Sequence, residues 1–357
     1  MEVATLQYKP DWADARQRLE AFWDGEVLDR AVIAVTAPRD LQVPVPEPKD
    51  DVARHTDPDY IVAAINARFQ NTFFGGEALP LPSLRLGYVA YGNPNAIFSP
   101  QTVWPCPYLR RSSVEEYQFD PSNRWWQTTL RIVEAQRKDG LGKYLIAMHI
   151  GDSPTDVLSN LRGPDGLATD LIDHPSEVRA LLAHLTGTRI WMLKHVVRLT
   201  QDDGGGPGAM YFRTGAVQCD FSCMLSPRMF RDFVVPELVA LARWAGRSFY
   251  HLDGANALQH LPTILDIDEV NWVQWVPGAG RPEGLDWPDV LQAIRASGKG
   301  MQISVSFERV EEALRTYGPN GLFIRTSAPT EEAARDLLSK AGRWSCTHPW
   351  DLRSPGD

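Results

Sequence analysis

From residue 143 onward one arrangement repeats six times: a short apolar run of strand type, a polar break, then a segment with helical spacing. The runs are "KYLIAMHI" (143–150), "AMYFRTGAVQ" (209–218), "RSFYHL" (247–252), "NWVQWV" (271–276), "MQISVS" (301–306) and "GLFIRT" (321–326). Helices between consecutive strands imply parallel strands, because a parallel crossover needs about a dozen residues or more. Adding "AVIAV" (31–35) and a strand near residues 85–91 brings the count to eight. Eight parallel β/α units close into a TIM (β/α)8 barrel. The competing α/β architecture is an open doubly wound sheet. Against it, no Gly-x-Gly-x-x-Gly follows a strand and opens a helix, and "GGGPG" (204–208) precedes a strand.

Around this frame the chain divides into a helical N-terminal extension (1–28), a barrel (29–345) and a C-terminal tail (346–357). In the extension Trp12, Ala15, Leu19, Phe22 and Trp23 recur at helical spacing. Residues 41–58 are rich in Pro and Asp and read as loop, and 57–74 as helix. Residues 75–125 hold many Gly, Pro and aromatic residues, so long irregular loops with short strands are expected there. A further helix is expected over 126–140, stopped by Gly140. Ser226 followed by Pro227 reads as a helix start.

The 357 residues, 43% of them hydrophobic, can bury a core that needs no disulfide or metal for stability. Four cysteines, Cys106, Cys219, Cys223 and Cys346, are no disulfide framework in so long a chain. A net charge of −9 without a Lys/Arg cluster argues against a nucleic-acid partner. The first residues have no cationic-then-apolar pattern, and no apolar run reaches membrane-spanning length, roughly 20 residues. A cytoplasmic protein that meets no membrane is the expectation.

In a TIM barrel the chemistry lies where strands end and loops begin. Those points carry Arg39 and Asp40; His149, Asp152 and Asp156; Gln218, Asp220, Ser222 and Cys223; His251, Asp253 and Asn256; Gln274 and Trp275; Gln302 and Ser304; and Arg325. His251 and Asp253 are two apart, so on a strand they share a face. As metal ligands they suit zinc or a harder divalent ion, with Asp220, Cys223 or His149 as candidate third ligand. Without a metal, His251 is a general base and Asp253 its orienting partner. As a structural pair they would cap the turn into the next helix. Asp220 is read as an acid/base group, or as a helix cap or ion-pair partner. Arg325 suits a carboxylate or phosphate on a substrate, or a salt bridge to Asp253 or Asp220. Gln218, His149 and Asp152 are further candidates for substrate binding, and Gln274, Trp275 and Trp104 could form a polar and stacking wall.

Three segments carry a family resemblance: "QCDFSCMLSPRMFRDFVVPELVALARW", "FYHLDGANALQHLPTILDIDEVNWVQWVPG" and "GLFIRTSAPTEEAARDLL". With "IGDSPTDVLSNLRGPDGLATDLIDHPSEV" they make residues 140–342 resemble the uroporphyrinogen decarboxylase superfamily of TIM barrels, which also contains corrinoid- and coenzyme M-linked methyltransferases. Two departures matter. The Arg-Gln-Ala-Gly-Arg stretch of the haem-pathway decarboxylases is replaced by "TAPRDLQV", leaving only Arg39 as a carboxylate binder, so porphyrinogen decarboxylation is not expected. The methyltransferases' zinc-holding His-x-Cys becomes His251-Leu252-Asp253, and "RTSAP" (325–329) has no Cys where the second would fall. The resemblance therefore implies methyl or alkyl group transfer, or a related lyase step, on a small polar substrate. The catalytic residues would be His251, Asp253 and Asp220. A corrinoid protein or a thiol acceptor, and a homodimer, are candidate partners. The alternatives are cofactor-independent decarboxylation with Arg39 or Arg325 gripping a carboxylate, and an inactive barrel that only binds.

Overall fold

The computed structural model describes residues 5–82, 86–146, 153–200 and 216–345. A seven-stranded sheet lies at the centre, in the order β2-β1-β9-β8-β7-β6-β5. β1 (Val32–Pro38), β5 (Ala216–Val217), β6 (Phe249–Asp253), β7 (Trp272–Val276), β8 (Gly300–Ser304) and β9 (Leu322–Ser327) are parallel neighbours. β2 (Thr72–Gly76) pairs antiparallel with β1. Helices follow the parallel strands, among them Val235–Ala245, Pro288–Ala296, Val310–Tyr317 and Glu331–Ser345. The mixed α/β class therefore holds, as does the parallel strand–helix repeat from β5 onward.

The first half differs from expectation in one respect. The strand sought near 85–91 is a 3-10 helix over Gly87–Tyr91. The neighbour of β1 is instead β2, which begins in the last residues of the span expected as helix over 57–74. That helix, Pro58–Gln70, is capped by the Asp57 carboxylate accepting from the Asp59 and Tyr60 amides. It stops at Asn71, and "TFFGG" then pairs with β1 from Pro38↔Thr72 to Ala34↔Gly76. Gly76 is demanded there: its φ is +58°, and a Cβ would stand 2.2 Å from the Ile33 carbonyl oxygen. Of the expected strand 143–150, Tyr144, Leu145 and Ile146 are buried without strand pairing, and the rest lies outside the described residues. Of 209–218, only the end at β5 is described.

Alternation along the strands sorts the two faces of the sheet. One face carries Ile33, Val35, Tyr250, Leu252, Val273, Trp275, Met301, Ile303, Leu322 and Ile324, packed into the main core under the helices. The other carries Val32, Trp272 and Phe323, and these join a separate cluster with Leu6, Trp12, Ala15, Leu19, Phe22 and Leu145. The N-terminal helix α1 (Trp12–Trp23) thus covers the face opposite the other helices. Phe22 meets the rings of Trp272 and Phe323 edge-on, at 5.6 and 5.9 Å between centroids. Lys9 ties the same region to β2: its fully buried ammonium donates to the carbonyls of Phe74 and Gly76 and to Asp11.

Candidate active site

Above the aromatic layer, the face that α1 covers opens into a cavity of about 1150 Å³. Its floor is Phe249, Trp272 and Phe323, with Leu79 and Leu81 to one side. One pleat further along the strands come Ala34, His251, Gln274, Gln302 and Arg325; beyond them lie Thr36, Ser304 and Ser327. The cavity is therefore graded, apolar at the N-terminal ends of the strands and polar toward their C-terminal ends. Parity causes this: three of the polar residues stand two after a floor residue, in Phe249/His251, Trp272/Gln274 and Phe323/Arg325.

Three polar side chains link across adjacent strands. In register, His251 faces Gln274 and Gln274 faces Gln302. The imidazole Nδ1 of His251 lies 2.5 Å from Gln274 Oε1, and Gln274 Nε2 donates to Gln302 Oε1 at 2.5 Å. The other ring nitrogen, Nε2, is 4.0 Å from Asp253 Oδ2. Asp253 ends β6 and is half exposed, so the pair sits where the strand gives way to loop.

Arg325 stands on β9 beside Ser304 of β8 and Ala34 of β1. Its side chain is reached from the cavity, yet enough protein surrounds it that burial pushes the guanidinium pKa down. Among the described residues none hydrogen-bonds or ion-pairs with it. The guanidinium is exposed to the cavity and has no counter-charge among the described residues, which makes this spot attractive to an anion.

The remaining candidates are scattered. Gln218 lines the cavity and donates to Asp220 Oδ2 at 3.3 Å. Asp220 itself is exposed, at the start of the 3-10 helix Asp220–Met224, outside the cavity lining. Its backbone amide and that of Phe221 donate to Asp156, so the buried Asp156 carboxylate shapes this loop. Cys223 is exposed on the same turn, and Cys219 is buried with its thiol pushed up by burial and the nearby Asp156. Trp275 points the opposite way from Gln274, is 1% exposed and packs edge-on against Trp287 in the main core. It is no part of the cavity wall, because neighbours in a strand face opposite sides. Trp104 lies 60% exposed on the hairpin of β3 (Ala96–Phe98) and β4 (Val103–Pro105), also outside the lining. Arg39 is held by Glu331 at 3.1 Å beyond the end of β1, again outside it. His149 and Asp152 lie outside the described residues.

Trp272, Phe249, Phe323, Thr36 and Ser327 line the cavity but were not singled out from the sequence. For four of them the signal was present: Phe249, Trp272, Phe323 and Ser327 share strand parity with His251, Gln274 or Arg325, whereas β1 carries no such marker for Thr36. A divalent ion would find His251 Nε2 and Asp253 Oδ2 here. Among the described residues no group of three His, Cys, Asp or Glu side chains converges, so they fall short of the three protein ligands of a catalytic zinc site.

No protein-family model matches the chain, and no curated protein matches it. Among solved structures, a methyltransferase from Methanosarcina mazei superimposes with a TM-score of 0.60 at 15% identity, over 92% of this chain and 98% of that one. The likeness establishes a shared fold along nearly the whole of both chains. No described helix is long and apolar enough to cross a membrane.

Proposed function

We propose that the chain is a closed TIM-barrel enzyme of the uroporphyrinogen decarboxylase superfamily that transfers a methyl or alkyl group to a small anionic acceptor such as a thiol. The observation that carries this reading is the convergence of His251 and Arg325 in one cavity with an apolar floor. The shared fold with a methyltransferase agrees with it.

Arg325 would seat the acceptor's anionic group and position its nucleophilic atom. His251 Nε2 would accept the acceptor's proton, and Asp253 beside it would steady the imidazolium that forms. The freed electron pair then forms the new bond to the alkyl carbon as the donor departs with the electrons of the old one. A corrinoid protein is one donor the resemblance suggests. If a divalent ion takes part, His251 and Asp253 are the ligands these residues offer, and it would lower the acceptor's pKa; the steps above use none.

The test is transfer of an isotope-labelled methyl group from a panel of donors to small anionic thiols. Label should appear in the acceptor with wild type and fall at least 100-fold with His251→Ala. Equal transfer by His251→Ala and wild type would sink the assignment. Metal content, measured on wild type, His251→Ala and Asp253→Ala purified without chelator, decides the ion separately. About one ion per chain in wild type, lost in both variants, is the outcome that makes this pair ligands.

Arg325's lack of a described partner favours one second reading, decarboxylation with the substrate carboxylate on Arg325. Evolution of CO2 without any methyl donor would select it.

A further inference from the structure

The hydrogen-bonded row from His251 to Gln302 has a direction, and the direction has a chemical consequence. A carboxamide has one acceptor end and one donor end. Gln274 uses its donor end on Gln302 Oε1, so only its carbonyl oxygen faces His251 Nδ1. A neutral imidazole can satisfy that oxygen only by carrying its hydrogen on Nδ1.

We propose that Gln274 and Gln302 are positioning residues that hold His251 as the Nδ1–H tautomer, leaving the Nε2 lone pair directed at the reaction site. The consequence shows at Asp253. An Nε2 lone pair and a carboxylate oxygen 4.0 Å apart repel each other unless something positive or proton-bearing comes between them. The gap is therefore a seat for a donor: the S–H or O–H of an acceptor, or a cation. In the opposite tautomer Nε2–H would point at Asp253, and the attraction between them would replace the seat's need for a donor. The same arrangement serves a metal, since a ligating imidazole usually donates its other N–H to a fixed oxygen. Gln302 takes part at one remove. It is 5% exposed and holds the donor end of Gln274, which would otherwise be free to turn over.

The proposal rests on the transfer reading only for its purpose; the tautomer can be measured without substrate, donor or ion. The experiment is two-dimensional 1H–15N NMR of the full chain, metal-free and labelled at histidine. It is run at about pH 8, above the usual imidazole range, so that neutral rings report their tautomer. The His251 signal is identified by its loss in His251→Gln. Wild type should show a protonated Nδ1 and a bare Nε2. Gln274→Leu should shift the ring toward Nε2–H, the form neutral imidazole prefers in water. Gln274→Glu, which can only accept, should keep a hydrogen on Nδ1. Gln302→Leu should give a mixture, and it carries the test if Gln274→Leu fails to fold. An Nε2–H signal in wild type overturns the proposal, as does an unchanged Nδ1–H signal in Gln274→Leu or, where that variant fails to fold, in Gln302→Leu. Label transfer failing while the tautomer pattern holds would count against the transfer reading and leave this one standing.

Discussion

Arg325, open to the cavity, and Glu237, buried in the core, show how surroundings set what a charged side chain does. Arg325 is open to the cavity without a described counter-ion, so Arg325→Met should abolish the attraction for anions while keeping the stem's volume. Titrating small carboxylates, phosphate and sulfonates against tryptophan fluorescence, with Trp272 on the floor as reporter, should show at least tenfold weaker binding in the variant. That ratio corresponds to about 1.4 kcal/mol. Glu237 is buried beside Asp156, and burial first, then that neighbouring charge, push its pKa up to about 8. Its carboxyl accepts from the amide and hydroxyl of Thr155, which holds the start of the helix Pro154–Arg162 against the core. The folded state thus binds this proton more tightly than the unfolded chain, whose carboxyl has its ordinary value of 4.5. The stabilisation is complete below about pH 4.5 and is lost as pH rises toward 8. Glu237→Gln should flatten urea-measured stability over that window and be the more stable protein at its upper end, by an amount on the order of a few kcal/mol. Parallel pH profiles for the two proteins would refute the assignment.

At the scale of single elements, α1 and β2 carry the most information. α1 looks like an appendage in the sequence, yet its apolar stripe meets the floor rings Trp272 and Phe323. Trp12 is fully buried, and Trp12→Ala should lower stability by about 3–5 kcal/mol in urea unfolding, as large cavities do. The loss should not be confined to the first residues. Near-UV and far-UV circular dichroism should move together, because the floor rings are shared with β7 and β9. β2 depends on Gly76 in a left-handed conformation against Ile33. Gly76→Ala should cost more than 1 kcal/mol, against the gain that Gly→Ala brings where φ is negative. A neutral or stabilising result would mean that the β1–β2 register differs from the one seen.

On the scale of the whole molecule, the strand–helix rhythm was readable because parallel strands need long crossovers, and the rhythm reports those crossovers. The reversed strand was not readable. "NTFF" continues a helical apolar pattern, and only pairing with β1 from Pro38 to Ala34 makes it a strand. The site was legible in part. His251, Gln274 and Arg325 line the cavity, in keeping with the expectation that strand ends in such a fold carry chemistry. Asp220, Arg39 and Trp104 end strands or loops equally well in the sequence, but they lie outside the cavity lining. Trp275 stands on the wrong face and Trp272 on the right one: the strand "WVQWV" has a Trp on each face, and only Trp272 meets the cavity.

By itself, the sequence determined the alternation of elements and the parity of each strand, because both are written in local spacing. It also determined that an imidazole, amides and a guanidinium stand near strand ends. Only the tertiary structure decided which face of each strand became the cavity, because that depends on which side the helices, and then α1, come to cover. It decided as well that His251 meets Gln274, and Gln274 meets Gln302, while Arg325 meets no described partner, since those relations follow from the register between strands far apart in the chain.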